Sequence, residues 1–124
     1  MSRFDRALTG VIAAASLLIL ATDTTKAAGA LAVGSCGAYG FAYDFAKEAA
    51  AARAALAKCT GGCKVLPVHR ACGAIAIDGR NVCGAHGYAI ATRLGEAQNI
   101  ALQHCYKHGG KDCVIRAWAC DAKG

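Results

Sequence analysis

Large side chains are scarce in this sequence of 124 residues. Trp118 is its single Trp, aromatic residues make up 6% of the chain, and Pro and Met each occur once. The hydrophobic fraction of 56% misleads, because 30 of those residues are Ala. A small domain with so few large residues needs covalent cross-links to stabilise its fold. The composition therefore excludes two domains and predicts one cross-linked domain.

Runs of like charge are absent as well. The net charge is +6, and the Lys and Arg residues are scattered along the chain. Nucleic-acid-binding tails have clustered basic residues, so no specific nucleic-acid binding is expected. A weakly basic surface favours solubility and attracts acidic proteins or anionic envelope polymers without specificity.

The first 27 residues have the three parts of a secretory signal peptide. Two Arg precede an apolar run from Ala7 to Ala21, and a polar stretch then leads into small residues at Ala27. The run is shorter than the roughly 20 residues of a membrane-spanning helix. We therefore expect a signal peptide at 1–27, and a periplasmic or secreted mature domain at 28–124 without a membrane anchor. The cleavage site is predicted to within about three residues.

The expected mature domain keeps all eight Cys of the chain. Thiols pair in an oxidising compartment, so eight Cys predict four disulfides. The predicted disulfide residues are Cys36, Cys59, Cys63, Cys72, Cys83, Cys105, Cys113 and Cys120.

An internal repeat organises the chain. GALAVG in the first half is echoed by GAIAID in the second, and CGAYGFA at Cys36 by CGAHGYA at Cys83. Four Cys in each half then fall in matching order, with Cys72 aligned to Cys120. The pattern predicts a tandem duplication with repeats at 29–72 and 73–120.

Each repeat predicts two strands, a helix and a third strand, with Gly34-Ser35 as a two-residue turn and Thr92 as a helix N-cap. The expected elements are strands at 29–33, 36–43 and 65–70, a helix at 46–58, strands at 74–77, 82–90 and 114–119, and a helix at 92–104. The predicted fold is α+β, a duplicated β-β-α-β unit with two helices packed on an antiparallel sheet and stabilised by disulfides.

Two of the bonds are suggested by local spacing. Cys59–Cys63 and Cys105–Cys113 would each join a helix end to the next strand across a Gly-rich turn. Zinc is the competing use, because Cys59, Cys63, His69 and Cys72 could supply four tetrahedral ligands. The second repeat has no His where His69 would correspond, so disulfides are favoured and no metal ligands are predicted.

The other four Cys leave two pairings open. The default expectation joins Cys36 to Cys72 and Cys83 to Cys120, the same bond in each repeat. The alternative joins Cys36 to Cys83 and Cys72 to Cys120 across a pseudo-twofold axis. Spacing alone does not decide between them.

No catalytic set is evident in the sequence. A Cys nucleophile needs an unpaired thiolate, and four Cys in each half leave none over. We therefore predict no catalytic or cofactor-binding residues and favour a protein that is not an enzyme. The alternatives are a small envelope enzyme with His69, His86 or His104 as base, or a metal or redox protein that uses the Cys set.

The aromatic residues Tyr39, Phe41, Tyr43 and Phe45 alternate, so they are expected on one face of a strand. Core packing beneath the helices is the favoured interpretation, and a platform that stacks ligands is the alternative. His86 in the place of Tyr39 suggests that the row approaches solvent at one end.

These patterns together resemble one known family. The repeated GALA-x-G and CGA-x-G-[FY]-A motifs, the Ala-rich helix ending AL-x-x-C and the closing strand are similar to the bacterial secreted family "domain of unknown function 4189". The resemblance covers residues 29–120. It implies an exported, Cys-rich α+β domain with no established catalytic residues.

The functional hypothesis is a small exported, disulfide-rich binding or interaction module of the bacterial envelope or secretome. It would act as an inhibitor or accessory protein, without a cofactor. Its expected partner is another envelope or secreted protein, or an anionic envelope polymer.

Overall fold

The computed structural model describes residues 28–121 as two copies of one four-element unit. The elements are β1 Ala28–Val33, β2 Tyr39–Phe45, α1 Glu48–Ala57, β3 Lys64–His69, β4 Cys72–Ile77, β5 His86–Ala91, α2 Leu94–Lys107 and β6 Val114–Cys120. The α+β class and the duplicated strand, strand, helix, strand order are confirmed. The expected signal peptide lies outside the described residues.

The strands within residues 28–121 form two sheets, one from each unit. Their orders are β2-β1-β3 and β5-β4-β6, and every neighbouring pair is antiparallel. One apolar cluster joins the two sheets, and each helix packs on its own sheet. The layers therefore run helix, sheet, sheet, helix, and each unit builds its own sheet where a single sheet was expected.

The central strands β1 and β4 are buried on both faces. In β1, Ala30 and Ala32 pack beneath α1, whereas Leu31 and Val33 join the cluster between the sheets. The same alternation in β4 places small Ala residues under α2 and Ile residues between the sheets. The sequence pattern of alternating small and large apolar residues thus separates a helix face from a sheet face.

The helices lie close to the sheets because their contact faces are made of small residues. Ala51 and Ala55 are the buried residues of α1, and Ala97, Ala101 and Cys105 are those of α2. Their spacing of four residues keeps them on one side of each helix. Within residues 28–121, neither helix has the length and apolar character needed to span a membrane.

Two local predictions are wrong. Helix α2 begins at Leu94 with Arg93 as N-cap and without a side-chain cap bond, so Thr92 does not cap it. The β1–β2 connection is five residues long, closed by a 2.9 Å bond from the Gly34 amide to the Ala38 carbonyl. Positive φ falls at Cys36 and Gly37, where the longer turn presents Cys36 for bonding to Cys83.

All eight Cys are paired in four disulfides. Cys59–Cys63 and Cys105–Cys113 join the helix ends to the next strands, as expected. Three members of the rival zinc set are therefore bonded as disulfides, Cys59 and Cys63 to each other and Cys72 to Cys120.

The default pairing of the remaining Cys is wrong, since Cys36 bonds Cys83 and Cys72 bonds Cys120. Cys72 is the first residue of β4 and lies directly opposite Cys120 of β6 in the strand register. This register brings their sulfurs together and leaves Cys36 to reach Cys83 in the equivalent turn.

The strand register also corrects the alignment of the repeats. His69 faces Ala28 at the position in the first sheet where Cys120 faces Cys72 in the second. Cys72 is therefore not the counterpart of Cys120. The Cys72–Cys120 bond has no equivalent in the first sheet, and only Cys36–Cys83 connects the two units covalently through side chains.

Candidate binding clefts

A cleft of about 580 Å³ lies where β2 of the first sheet meets β6 of the second. We call it the aromatic cleft. Its lining residues are Tyr39, Gly40, Phe41, Tyr43, Lys58, Trp118 and Ala119. Both units contribute to it, so the cleft depends on the packing of one sheet against the other.

The large side chains of the aromatic cleft are exposed. Tyr39 is 36% accessible, and Tyr43 and Trp118 are each 52% accessible. The expectation of core packing is therefore wrong for Tyr39 and Tyr43, although Phe41 does pack against the cluster between the sheets. Exposed aromatic side chains grouped around one concavity are typical of a binding surface.

A β-bulge in β2 separates the members of the aromatic row. Ala28 pairs with Phe45, but Ala30 pairs with Ala42, so β2 carries one extra residue at this point. Asp44 adopts a φ of 64° there. The extra residue reverses the alternation, and Phe45 packs with the α1 cluster while Tyr43 stays exposed.

Asp121 holds this bulge from the opposite end of the chain. Its carboxylate is only 1% accessible, and Oδ1 accepts a 2.9 Å bond from the amide of Asp44. Oδ2 accepts a 3.4 Å bond from the amide of Arg70, which also has a positive φ. One buried side chain thus satisfies two amides in strained backbone, and one of them, the Asp44 amide, directly follows Tyr43 of the cleft.

A second bulge lies in β6 on the other side of the cleft. Ile75 pairs with Ala117 and Ala76 with Ile115, so Arg116 is the extra residue. Its Nε donates a 3.2 Å bond to the Gly37 carbonyl, and its guanidinium carbon lies 5.6 Å from the centre of the Tyr39 ring. The bulge thus directs a cation onto an aromatic residue of the cleft.

Lys58 supplies the cation that lines the cleft, whereas Arg116 borders the cleft through its contact with Tyr39. It follows the last residue of α1, and its Nζ donates a 3.0 Å bond to the Phe41 carbonyl. The ammonium has two further protons to donate. Lys58 and Arg116 are both exposed, so the aromatic surface is bordered by positive charge.

The structure contains another cleft of about 410 Å³ in the second unit. We call it the histidine cleft. It is lined by Gly84, Ala85, His86, Gly87, Tyr88, His104 and His108. Of the three candidate bases, His86 and His104 come together here, whereas His69 lies exposed at the end of β3. Among residues 28–121, no three His, Cys, Asp or Glu side chains are placed to hold a metal.

The two clefts share equivalent residues from the second strand and the helix of each unit, although only the aromatic cleft also includes a strand of the other unit. His86 and Tyr88 align with Tyr39 and Phe41, and His104 aligns with Lys58 after the helix offset. Lys64 of β3 lies 5.6 Å from the centre of the Tyr88 ring, as Arg116 of β6 does for Tyr39. The β4–β5 register runs without a shift, so the bulge of β2 has no counterpart.

All eight helices and strands of the described residues fall inside one family match. The family described as a domain of unknown function (DUF4189) matches residues 28–120. The chain belongs to the DUF4189 family. Comparison with curated proteins and with solved structures finds no match.

The DUF4189 domain of this chain therefore includes both clefts, both bulges and all four disulfides. Disulfides persist in oxidising compartments and are rare in the reducing cytosol. The four bonds thus indicate an oxidising, extracytoplasmic environment.

Sequence reasoning did not identify Lys58 and Arg116 as members of a site in this DUF4189 domain. Comparing the repeats position by position gives one useful signal, because it pairs Lys58 with His104 and Tyr39 with His86. No comparable signal marks Arg116, since its orientation depends on a register shift between β4 and β6.

Proposed function

We propose that the protein is an exported, non-enzymatic binding module of the bacterial envelope or secretome, acting as an inhibitor or accessory protein through the aromatic cleft. The observation that carries this proposal is the exposure of Tyr39, Tyr43 and Trp118 around one concavity. Leaving such side chains in water forgoes the stabilisation that their burial would give.

Export is supported by the signal-like pattern of residues 1–27 and by the four disulfides. Cleavage near Ala27 would release the protein into the periplasm or the medium. The partner is then another envelope or secreted protein, or an anionic envelope polymer.

The composition and rigidity of the cleft support binding. Trp, Tyr and Arg are the side chains that most often dominate binding energy, and all three occur here. Disulfides and the Asp121 contacts hold the surrounding backbone before a partner arrives. A preorganised surface loses little conformational entropy on association.

The test compares four forms of the full-length protein exported by its host: wild type, Tyr43→Ala, Trp118→Ala and Tyr106→Ala. Each is immobilised and exposed to solubilised envelope proteins and to purified envelope polysaccharide. Tyr106 is the matched control because it is also 52% accessible but lies on α2 outside the aromatic cleft.

We expect wild type and Tyr106→Ala to retain the same component, and the two cleft variants to retain about tenfold less or lower. Equal retention by all four forms would contradict the proposal. So would the absence of any retained component.

The histidine cleft supports a second candidate, a small envelope enzyme. His86, His104 and His108 line one concavity, and Nδ1 of His108 lies 3.2 Å from the His86 carbonyl. Imidazole is the side chain best suited to move protons near neutral pH. Hydrolysis of a model ester that His104→Ala abolishes and His69→Ala preserves would favour this candidate, and no wild-type hydrolysis would oppose it.

A further inference from the structure

We propose that the aromatic cleft binds a saccharide that carries a carboxylate, as a unit of an acidic polysaccharide. The inference rests on the binding function proposed above and adds the chemical class of the ligand. It combines three properties of the cleft: its aromatic surface, its cations and its paired bulges.

The aromatic surface suits sugar rings. Tyr39, Tyr43 and Trp118 are exposed around one concavity, and a pyranose ring presents a face of C–H groups that packs against an aromatic ring. The volume of about 580 Å³ lies in the range of small-ligand sites. A concavity of this size fits a short stretch of a polymer better than the flat face of a folded protein.

The cations favour a negative group on the sugar. Among the described residues, the lining of the cleft includes Lys58 and neither Asp nor Glu. Arg116 uses Nε to bond the Gly37 carbonyl, which leaves its terminal nitrogens to donate to a ligand. Guanidinium and ammonium groups both form charge-assisted hydrogen bonds with carboxylates.

The bulges are independent evidence that this edge is shaped for a ligand. Both register shifts of the described sheets lie in the strands that border the aromatic cleft, β2 at Asp44 and β6 at Arg116. The equivalent strands β5 and β3 pair without a shift. Bulges are enriched beside functional sites, where they redirect side chains.

The two clefts also differ in charge and in aromatic surface, and the aromatic cleft is the better match to an acidic sugar. The ammonium of Lys58 is replaced by the imidazole of His104, and Tyr39 is replaced by His86. Trp118 lines the aromatic cleft and is not among the residues that line the histidine cleft. The cleft that contains the amine is thus the one with the larger aromatic surface.

Trp118 provides a direct reporter, because it is the only Trp of the chain and lines the cleft. The exported full-length protein is titrated with a hexamer of galacturonic acid while Trp fluorescence is followed. Maltohexaose tests the same number of sugar rings without carboxylates, and polyglutamate tests carboxylates without sugar rings.

We expect a saturable fluorescence change with the galacturonate hexamer, and an affinity at least about tenfold lower for each control. A hexamer without saturable binding would overturn the proposal. Equal affinity for polyglutamate would also overturn it, since charge alone would then explain the binding.

Two variants retain the Trp118 reporter and probe the two parts of the recognition. Tyr43→Ala removes an aromatic face and Arg116→Gln removes a cation, and each should weaken hexamer binding about tenfold or more. Tyr106→Ala and Lys107→Gln are the matched controls, because both residues are exposed on α2 outside the cleft. Folding is checked for every variant by counting disulfides from intact mass.

Unchanged hexamer affinity in both cleft variants would overturn the assignment to this cleft. If envelope components are retained through Tyr43 and Trp118 but the hexamer does not bind, only the saccharide ligand is refuted. If neither binds, the proposed function fails with it.

Discussion

Asp78 shows how one side chain stabilises the connection between β4 and β5. Its Oδ1 accepts a 2.7 Å bond from the Arg80 amide and a 3.3 Å bond from the Asn81 amide. The Arg80 amide is the main reason that the pKa of Asp78 is lowered from its ordinary value of 3.8. Asp side chains commonly bond backbone amides in this way within turns.

The lowered pKa predicts a loss of stability in acid. Ionised Asp78 contributes to the free energy of unfolding at pH values above 3.8, its pKa in the unfolded chain. This contribution is lost as the pH falls through the lower pKa of the folded protein. Thermal midpoints measured from neutral pH into strong acid should therefore fall less steeply for Asp78→Asn than for wild type.

Gln103→Ala is the control for this prediction, because Gln103 is exposed on α2 and has no ionisable group. It should retain the acid dependence of the wild type. Identical acid profiles for Asp78→Asn and wild type would show that the turn bonds do not couple stability to protonation.

Asp121 illustrates why the aromatic cleft was only partly predictable from single residues. The sequence shows the aromatic residue types, and a binding platform was the alternative interpretation of the aromatic row. The separation of Phe45 from Tyr43 depends on the bulge at Asp44, and the Asp44 amide bonds a carboxylate 77 residues away in the sequence. Local alternation carries no information about a bond over that separation.

At the scale of elements, Gly87 sets the distance between α2 and its sheet. A Cβ at this position of β5 would collide with the Ala101 carbonyl and lie 2.7 Å from Cβ of His104. The helix would have to move away from the sheet. We expect Gly87→Ala to lower the free energy of unfolding by about 1–3 kcal/mol, measured by urea denaturation.

Gly95 in α2 is a matched control, because a Cβ there meets nothing within 4 Å. Gly95→Ala should raise the free energy of unfolding by about 0.5–1 kcal/mol, since Ala favours helix. Wild-type stability in Gly87→Ala would show that α2 does not depend on this close approach.

The order of strands and helices was predictable because each follows from local pattern. Strand alternation, Ala-rich helices and paired glycines recur in both repeats, and the structure confirms the resulting order. The number of sheets was not predictable in this way. Each strand pattern shows that two faces are buried, but not whether a helix or a second sheet covers them.

At the scale of the whole molecule, Cys36–Cys83 is the disulfide between the two sheet-bearing units. It joins residues 47 apart, whereas Cys59–Cys63 joins residues 4 apart. Loop-entropy arguments predict that Cys36→Ser with Cys83→Ser lowers the free energy of unfolding by about 4 kcal/mol. Cys59→Ser with Cys63→Ser should lower the free energy of unfolding by about 2 kcal/mol.

Urea denaturation of both double variants measures the difference. An equal or larger loss for the short loop would refute the view that Cys36–Cys83 stabilises mainly by restricting the unfolded chain. Intact mass before and after reduction verifies that the other three disulfides have formed.

The disulfide pairing shows the limit of prediction at this scale. Both pairings of the four remaining Cys were compatible with the sequence, and the default followed from giving each repeat the same bond. The β4–β6 register decides the question by placing Cys72 opposite Cys120. A bond set by the register of one sheet cannot be inferred from the symmetry of the repeats.

The Cys36–Cys83 bond also marks the symmetry of the fold. It joins equivalent residues, so it lies on the axis that relates the two units. Two separate copies of one unit joined by this bond would be a covalent homodimer that buries the faces carrying Leu31 and Ile75. The clefts of such a dimer would be identical by symmetry. Two units within one chain are free of that constraint, and here one cleft is aromatic and the other is rich in histidine.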